Sequence, residues 1–395
     1  MPTSAWSAGV TSGTLSPPRP RRIDSMDPHA APVPLPPRPA EAHALAVARG
    51  LPGERILCTT LGRAQAAGTL AVERPAAHVT AWFLDLFQHD LSAAAFAAAA
   101  GPRPELVCAA DVPDGPLDLA ILPFASGGEA ELTRDVLQQV LGRLPIGGRL
   151  VTATDNPRDR WLHEQLAATG ETVRVRPGED AVAYVVEKTR EPARIRDFSA
   201  EVVFRDRGRL LRAVTRPGVF AHRRIDPGAR HLLDAVDVAP DTRVVDIGCG
   251  SGCVALGMAA RDPTVTVHAF DSAARAVECT RRSALANGLP NLTVALEAHG
   301  RVPDGGTWDL ALANPPYYAD FRIAALFVEA ARMALAPGGT LLVVTKQPTW
   351  YLERLPTQWD SVAREEVKHY HVIEAVRRAD SEPLAPGRPR PDDDD

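Results

Sequence analysis

Between residues 46 and 379, short apolar runs alternate with stretches in which apolar residues recur every three or four positions. The runs fit buried strands and the stretches fit amphipathic helices, so their alternation predicts α/β sheets. The pattern occurs twice. Leu117-Asp118-Leu119-Ala120-Ile121-Leu122-Pro123-Phe124 precedes a helical stretch, then Pro145-Ile146-Gly147-Gly148 and an apolar strand at 149–154. Trp308-Asp309-Leu310-Ala311-Leu312-Ala313-Asn314-Pro315 precedes a helix, then Pro337-Gly338-Gly339 and a strand at 340–346. Asp118 and Gly147 stand 29 residues apart, as do Asp309 and Gly338. One spacing could match by chance; the flanking strands, helix and turn matching with it predict a duplicated domain. The expected organisation is a domain at 46–187, a basic joining segment at 188–215 and a second domain at 216–379. The second sheet should be mostly parallel, with a late antiparallel hairpin at about 362–377.

The flanks read differently. Residues 1–45 are rich in Pro, Ser and Arg, and 380–395 end in four aspartates. Such segments bury too little apolar surface to offset chain entropy and are expected to be disordered. The net charge of −5 shows that the 395-residue chain is not a polycation, so nucleic-acid affinity must come from a local patch. Residues 188–230 supply one, with twelve basic and five acidic residues. It reads as a phosphate-contacting surface or as a solvated linker with biased codons. No apolar run reaches the ~18 residues of a membrane span, and the start lacks a secretory core. Five cysteines without ligand spacing fit reduced thiols, no metal site and a cytoplasmic location.

The strongest local motif is Arg243-Val244-Val245-Asp246-Ile247-Gly248-Cys249-Gly250-Ser251-Gly252. A strand enters a glycine turn that opens a helix, so Gly248, Gly250 and Gly252 let the backbone approach a ligand. The next strand ends at Asp271, about 20 residues on, placed to bind ribose hydroxyls or to cap the following helix. A nicotinamide dinucleotide and S-adenosylmethionine (SAM) both carry a ribose, so these residues do not separate them. Asn314-Pro315-Pro316-Tyr317 does. Two prolines force the chain out of the sheet at the ligand-binding edge. There the Asn314 oxygen and a backbone carbonyl, as at Pro315, could accept both hydrogens of a conjugated amine. That would free its lone pair for attack, with Tyr317 stacking on the planar substrate.

Residues 246–252, Asp271 and 314–317 resemble motifs I, II and IV of class I SAM-dependent methyltransferases. Pro217-Gly218-Val219-Phe220, Asp226-Pro227-Gly228, Leu232-Leu233 and Ala286-Asn287-Gly288 narrow the resemblance to the bacterial ribosomal RNA guanine-N2 methyltransferases. It is good over 216–379, loose over 46–187 and absent from the tails. It implies two tandem Rossmann-like methyltransferase domains, the N-terminal one degenerate. It further implies SAM as cofactor, held by Asp246, Gly248, Gly250, Gly252 and Asp271. Asn314, Pro315 and Tyr317 would be catalytic, and the partner would be ribosomal RNA or a ribosomal subunit. Two departures stand. Tyr317-Tyr318 replaces the family's frequent Phe-His, and the pattern also occurs in adenine-N6 and protein-glutamine methyltransferases. Past Glu297, around Ala298 and His299, no acidic or amide side chain is offered to an adenine.

The first half has Thr59-Thr60-Leu61-Gly62-Arg63-Ala64 where glycines are expected and Leu122-Pro123-Phe124 where Asn-Pro-Pro-Tyr is expected. It is expected neither to bind SAM nor to catalyse. A different class of reading is a non-enzymatic RNA-binding assembly factor on a dead methyltransferase fold, against which the intact 248–252 and 314–317 motifs argue.

Overall fold

Each half of the chain builds a seven-stranded sheet, and the two sheets have the same strand order. The computed structural model describes residues 36–192, 194–316 and 321–379. The disorder expected of 1–35 and 380–395 falls outside them. In the first half the strands are β1 (Arg55–Cys58), β2 (His78–Phe83), β3 (Glu105–Cys108), β4 (Leu119–Phe124), β5 (Arg149–Thr154), β6 (Val173–Pro177) and β7 (Val182–Glu187). Around them lie α1 (Pro39–Ala48), α2 (Gln65–Glu73), α3 (Leu86–Ala98), α4 (Ala130–Arg143) and α5 (Trp161–Ala167). A hairpin, β8 (Ala200–Asp206) and β9 (Arg209–Thr215), follows. The second sheet contains β10 (Arg243–Ile247), β11 (Thr266–Asp271), β12 (Leu292–Leu296), β13 (Trp308–Ala313), β14 (Leu335–Thr345), β15 (Trp359–Val367) and β16 (Tyr370–Arg377). Its helices are α6 (Pro227–Ala235), α7 (Cys253–Arg261), α8 (Ala274–Asn287), α9 (Arg322–Ala334) and α10 (Thr349–Arg354).

The orders are β3-β2-β1-β4-β5-β7-β6 and β12-β11-β10-β13-β14-β16-β15. Five strands of each sheet are parallel and the last two form the antiparallel hairpin. The duplicated pattern is therefore two Rossmann-like domains. The central strands are buried on both faces, which is why they read as unbroken apolar runs.

Two expected boundaries are corrected. The first fold starts at Pro39, inside the segment assigned to the tail. Pro39 suits the first helical turn, and Ala40, Ala44, Leu45 and Ala48 are buried in the core of that half. Small alanines give a weak hydrophobic signal after a proline run. The joining segment is likewise no linker. Phe204, Leu211 and Ala213 of the hairpin point into the core of the second half. Its arginines point outward but have protein partners. Arg209 donates to the Ala260 carbonyl (2.9 Å) and Arg207 pairs with Asp237 (2.7 Å). Asn287, at the end of α8, clasps the backbone of Arg212 through both its amide atoms (3.0 and 2.7 Å).

The halves are joined by buried charge. Arg275 of α8, 1% exposed, donates to the carbonyls of Ala110 (2.9 Å) and Pro217 (2.8 Å) and pairs with Asp135 of α4 (2.7 Å). Arg216 spans from Glu278 (2.6 Å) to Asp111 (3.0 Å). Truncating one partner of a buried pair leaves the other charge uncompensated. Arg275→Met should therefore cost about 3 kcal/mol of stability, read as a lower urea midpoint. Adding Asp135→Asn should recover part of the loss; an unchanged midpoint in Arg275→Met would refute the joint.

Candidate active site

The strand order positions the site. From β10 the sheet grows first through β11 and β12, then on the other side through β13 and β14. The loops leaving β10 and β13 must therefore diverge, opening a crevice at the carboxyl edge between them. The glycine turn and Asn314-Pro315 stand on those two loops.

The three glycines serve different ends. All have left-handed backbones, with φ of 72°, 55° and 79° at Gly248, Gly250 and Gly252, a region costly for other residues. A Cβ on Gly248 would lie 2.5 Å from the Phe327 ring, and one on Gly252 would lie 2.7 Å from Thr280. A Cβ on Gly250 would meet only Phe220, at 3.8 Å. Packing thus demands two of the glycines, while Gly250 faces open space beside an exposed phenylalanine. Gly252 precedes the first turn of α7, so the helix's electropositive end adjoins this opening.

Asp246 lies beneath the turn. It is buried, and its Oδ2 accepts from the Ala255 N–H in the first turn of α7 (3.1 Å). Burial pushes its carboxyl up to about 7. Through that bond it braces the start of α7. Asp271 ends β11 at the carboxyl edge of the sheet. Its two oxygens accept from the N–H groups of Gly250 (2.9 Å) and Ala273 (2.8 Å). One carboxylate thus serves both the glycine turn and the start of α8. Burial raises its pKa against the effect of these two bonds, with Asp85 adding to the rise.

Asp85 belongs to the first half, which reaches this edge directly. Leu86 N–H donates to the Ser272 carbonyl and Ala274 N–H to the Leu84 carbonyl, both at 2.8 Å. The Ser272 hydroxyl donates to Asp85 (2.7 Å). The residues beside Asp271 are therefore held by a two-way clasp between the halves.

Asn314 leaves β13 with its Nδ2 donating to Asp226 Oδ2 (2.8 Å). Pro315 is buried behind it. Tyr317, expected to stack on the substrate, lies outside the described residues. Glu297 turns back on its own loop, accepting from the N–H of His299 (2.5 Å) and of Arg301 (3.4 Å). Motif reading alone had assigned no role to Phe220, Asp226 or Gly228 at this edge; the Pro-Gly-Val-Phe and Asp-Pro-Gly sequences were their only signal.

In the first half, the turn after β1 is filled from within. Glu41, fully buried on α1, accepts from the Thr60 hydroxyl (2.9 Å), Leu61 N–H (3.1 Å) and Ala66 N–H (3.0 Å). The amides that a ligand would meet at the start of α2 already have a carboxylate.

Asp246 gives a pH signature. Its folded-state pKa of about 7 lies above the ordinary carboxylate value of 3.8. The folded state then binds more protons, so stability falls as pH rises from about 4 to about 7. Asp246→Asn keeps the acceptor for Ala255 without the charge. It should raise the melting temperature at pH 8 relative to wild type and have little effect at pH 4.5. Equal shifts at both pH values would contradict the assignment.

The fold and part of the sequence match known proteins. Residues 211–374 match the family described as the methyltransferase small domain. The ribosomal RNA small subunit methyltransferase C of Pseudomonas aeruginosa (strain LESB58) is 28% identical over 222 residues, 54% of this chain and 66% of the relative. The enzyme of the same name from Chromohalobacter salexigens is 34% identical over 146 residues, 34% of this chain and 43% of the relative. The chain thus matches just under two thirds, or less, of these relatives' lengths. The solved T. thermophilus 16S rRNA N2 G1207 methyltransferase (RsmC), in complex with AdoMet and guanosine, superposes with a TM-score of 0.70. It covers 86% of this chain and 92% of its own, at 21% identity. The chain accordingly has a two-domain class I methyltransferase fold, and over part of its length it resembles the ribosomal RNA small subunit methyltransferases C.

Proposed function

We propose that this protein transfers a methyl group from SAM to the exocyclic N2 of a guanine in ribosomal RNA. The observation that carries the reading is the placing of Asn314 opposite the glycine turn, on the two loops that border one crevice. The residues suit SAM. Gly250 faces open space, and Asp271 presents a carboxylate aligned by two backbone amides. That carboxylate would hold the ribose hydroxyls, while the turn and the start of α7 would hold the amino-acid end. Guanine is favoured because RsmC, similar along both domains, was solved with guanosine and AdoMet.

When bound, SAM supplies an electrophilic methyl group on a positively charged sulfur. The chain's contribution is orientation. Asn314 Oδ1 and the Pro315 carbonyl would accept the two N–H bonds of the amine, turning its lone pair toward the methyl and stabilising the developing positive charge. The methylated amine would shed its proton to water, so no residue of the chain has to act as a base.

The first half would bind no SAM, because Glu41 holds its turn. Its role would be to brace Asp271. Much of the basic segment already has partners within the protein, so phosphate contact would fall to exposed side chains such as Arg224. The rival substrates, adenine N6 and a protein glutamine, are tested by the same assay. Tritiated methyl transfer to unmethylated 30S and 50S particles should yield labelled N2-methylguanosine; label in N6-methyladenosine or in protein would select a rival.

Two variants test the roles. Asp271→Ala should weaken SAM by roughly 1.5–3 kcal/mol, the scale of a charge-assisted hydrogen bond. Calorimetry should show this, against one SAM per wild-type chain; an unchanged affinity, or two sites, would contradict it. Asn314→Ala should leave SAM affinity nearly intact and slow single-turnover transfer by about 10²–10³-fold. A near wild-type rate would exclude amino methylation by this site.

A further inference from the structure

The Asp226-Pro227-Gly228 sequence meets the candidate catalytic asparagine directly. Asp226 is the N-cap of α6, and its Oδ2 accepts from the Ala229 N–H (3.0 Å), an ordinary capping bond. The same oxygen also accepts from Asn314 Nδ2 (2.8 Å). An ionised carboxylate only accepts hydrogen bonds, so it selects the nitrogen end of the carboxamide. The Asn314 oxygen is then the opposite end of the group, and no described residue donates a hydrogen bond to it. Gly228 completes the fit. It stands in the first turn of a helix, where glycine costs about 1 kcal/mol relative to alanine. Its backbone is not left-handed, so conformation does not demand glycine. Space does. A Cβ there would lie 2.7 Å from Asp226 Oδ2, 2.9 Å from Asn314 Oδ1 and 3.2 Å from Asn314 Nδ2.

We infer that Asp226 and Gly228 are positioning residues for methyl transfer: the carboxylate holds the Asn314 carboxamide by its nitrogen, which leaves its oxygen as the end able to accept from the amine, and the missing side chain of Gly228 makes room for both ends of the carboxamide. Neither residue touches the reacting atoms. Without the lock the carboxamide is free to turn its NH2 to the amine, where two donors face each other and the lone pair is no longer directed. The inference rests on the role proposed above for Asn314.

The test separates orientation from folding. Serine is a good N-cap but shorter than aspartate. Asp226→Ser should therefore keep the helix cap while losing the bond to Asn314. We expect its melting temperature and SAM affinity to stay near wild type, while single-turnover transfer falls about tenfold to a hundredfold, the scale of a small misplacement of a catalytic group. Asp226→Asn, which keeps an acceptor oxygen in place, should recover most of the rate. Gly228→Ala gains helix propensity but pushes the Asp226 carboxylate off the cap, so its melting temperature should stay near wild type while the rate falls to a similar extent. A purely structural role predicts the opposite for that variant. In protein labelled with ¹⁵N-asparagine, the Asn314 side-chain NH2 should show slowed exchange in wild type and lose that protection in Asp226→Ser. Wild-type rates in both Asp226→Ser and Gly228→Ala, or unprotected Asn314 NH2 protons in wild type, would overturn the inference. If wild type transfers no methyl group but the NH2 protection is present and lost as expected, the reading of the reaction fails while the lock on Asn314 stands.

Discussion

At β10 the second sheet reverses its direction of growth, and the rest of the site follows from that topology. Two adjacent parallel strands send their connections to opposite sides, so a crevice must open at their carboxyl ends. One wall is a turn that needs left-handed backbone at three positions. The other is a strand end that prolines prevent from continuing. The chemistry proposed here needs a cofactor on one wall and an oriented amide on the other. Neither loop could supply both, and only their adjacency in the sheet brings them together.

Burial then has to be reconciled with charge. Asp246 and Asp271 are held near one another at the end of the sheet, and burial raises the pKa of each. Backbone amides offset part of that cost: Ala255 for Asp246, and Gly250 with Ala273 for Asp271. The same bonds fix the shape of the glycine turn and the starts of α7 and α8. Asp226 repeats the device on the other wall, serving a helix start and the Asn314 amide with one oxygen. In each case a carboxylate at a helix N-terminus also bonds a neighbouring part of the site, so one side chain serves the fold and the site at once.

The first half keeps the architecture of the second but not its glycine turn. Glu41 reaches the turn from α1 and satisfies the amides at the start of α2. The Asp85 edge of this half clasps Ser272, and its Asp135 and Asp111 receive Arg275 and Arg216. A buried ion pair contributes little net stability, because desolvation offsets attraction. It does penalise any arrangement that separates the partners, so these contacts fix how the halves meet beside Asp271.

Much of the fold was legible from sequence, because it rests on local periodicity and short motifs. Apolar runs marked the buried strands, and the 29-residue spacing marked the duplication. The glycine turn, Asp271 and Asn314 were found where the chain leaves a strand, since glycine and proline act on the backbone at their own positions. The start at Pro39 and the packing of the hairpin at 200–215 were missed. Alanine carries little hydrophobic signal, and a hairpin whose buried apolar residues are Phe204, Leu211 and Ala213 among arginines resembles a charged linker. The roles of Glu41, Asp226 and Gly228 were beyond reach for another reason. Glu41 acts on a turn about 20 residues away, and Asp226 acts on a residue 88 positions later. Sequence determined which strands and turns form, through propensities that each residue carries by itself. Only the tertiary structure decided which carboxylate faces which amide, because a hydrogen bond between distant residues depends on where packing leaves their atoms.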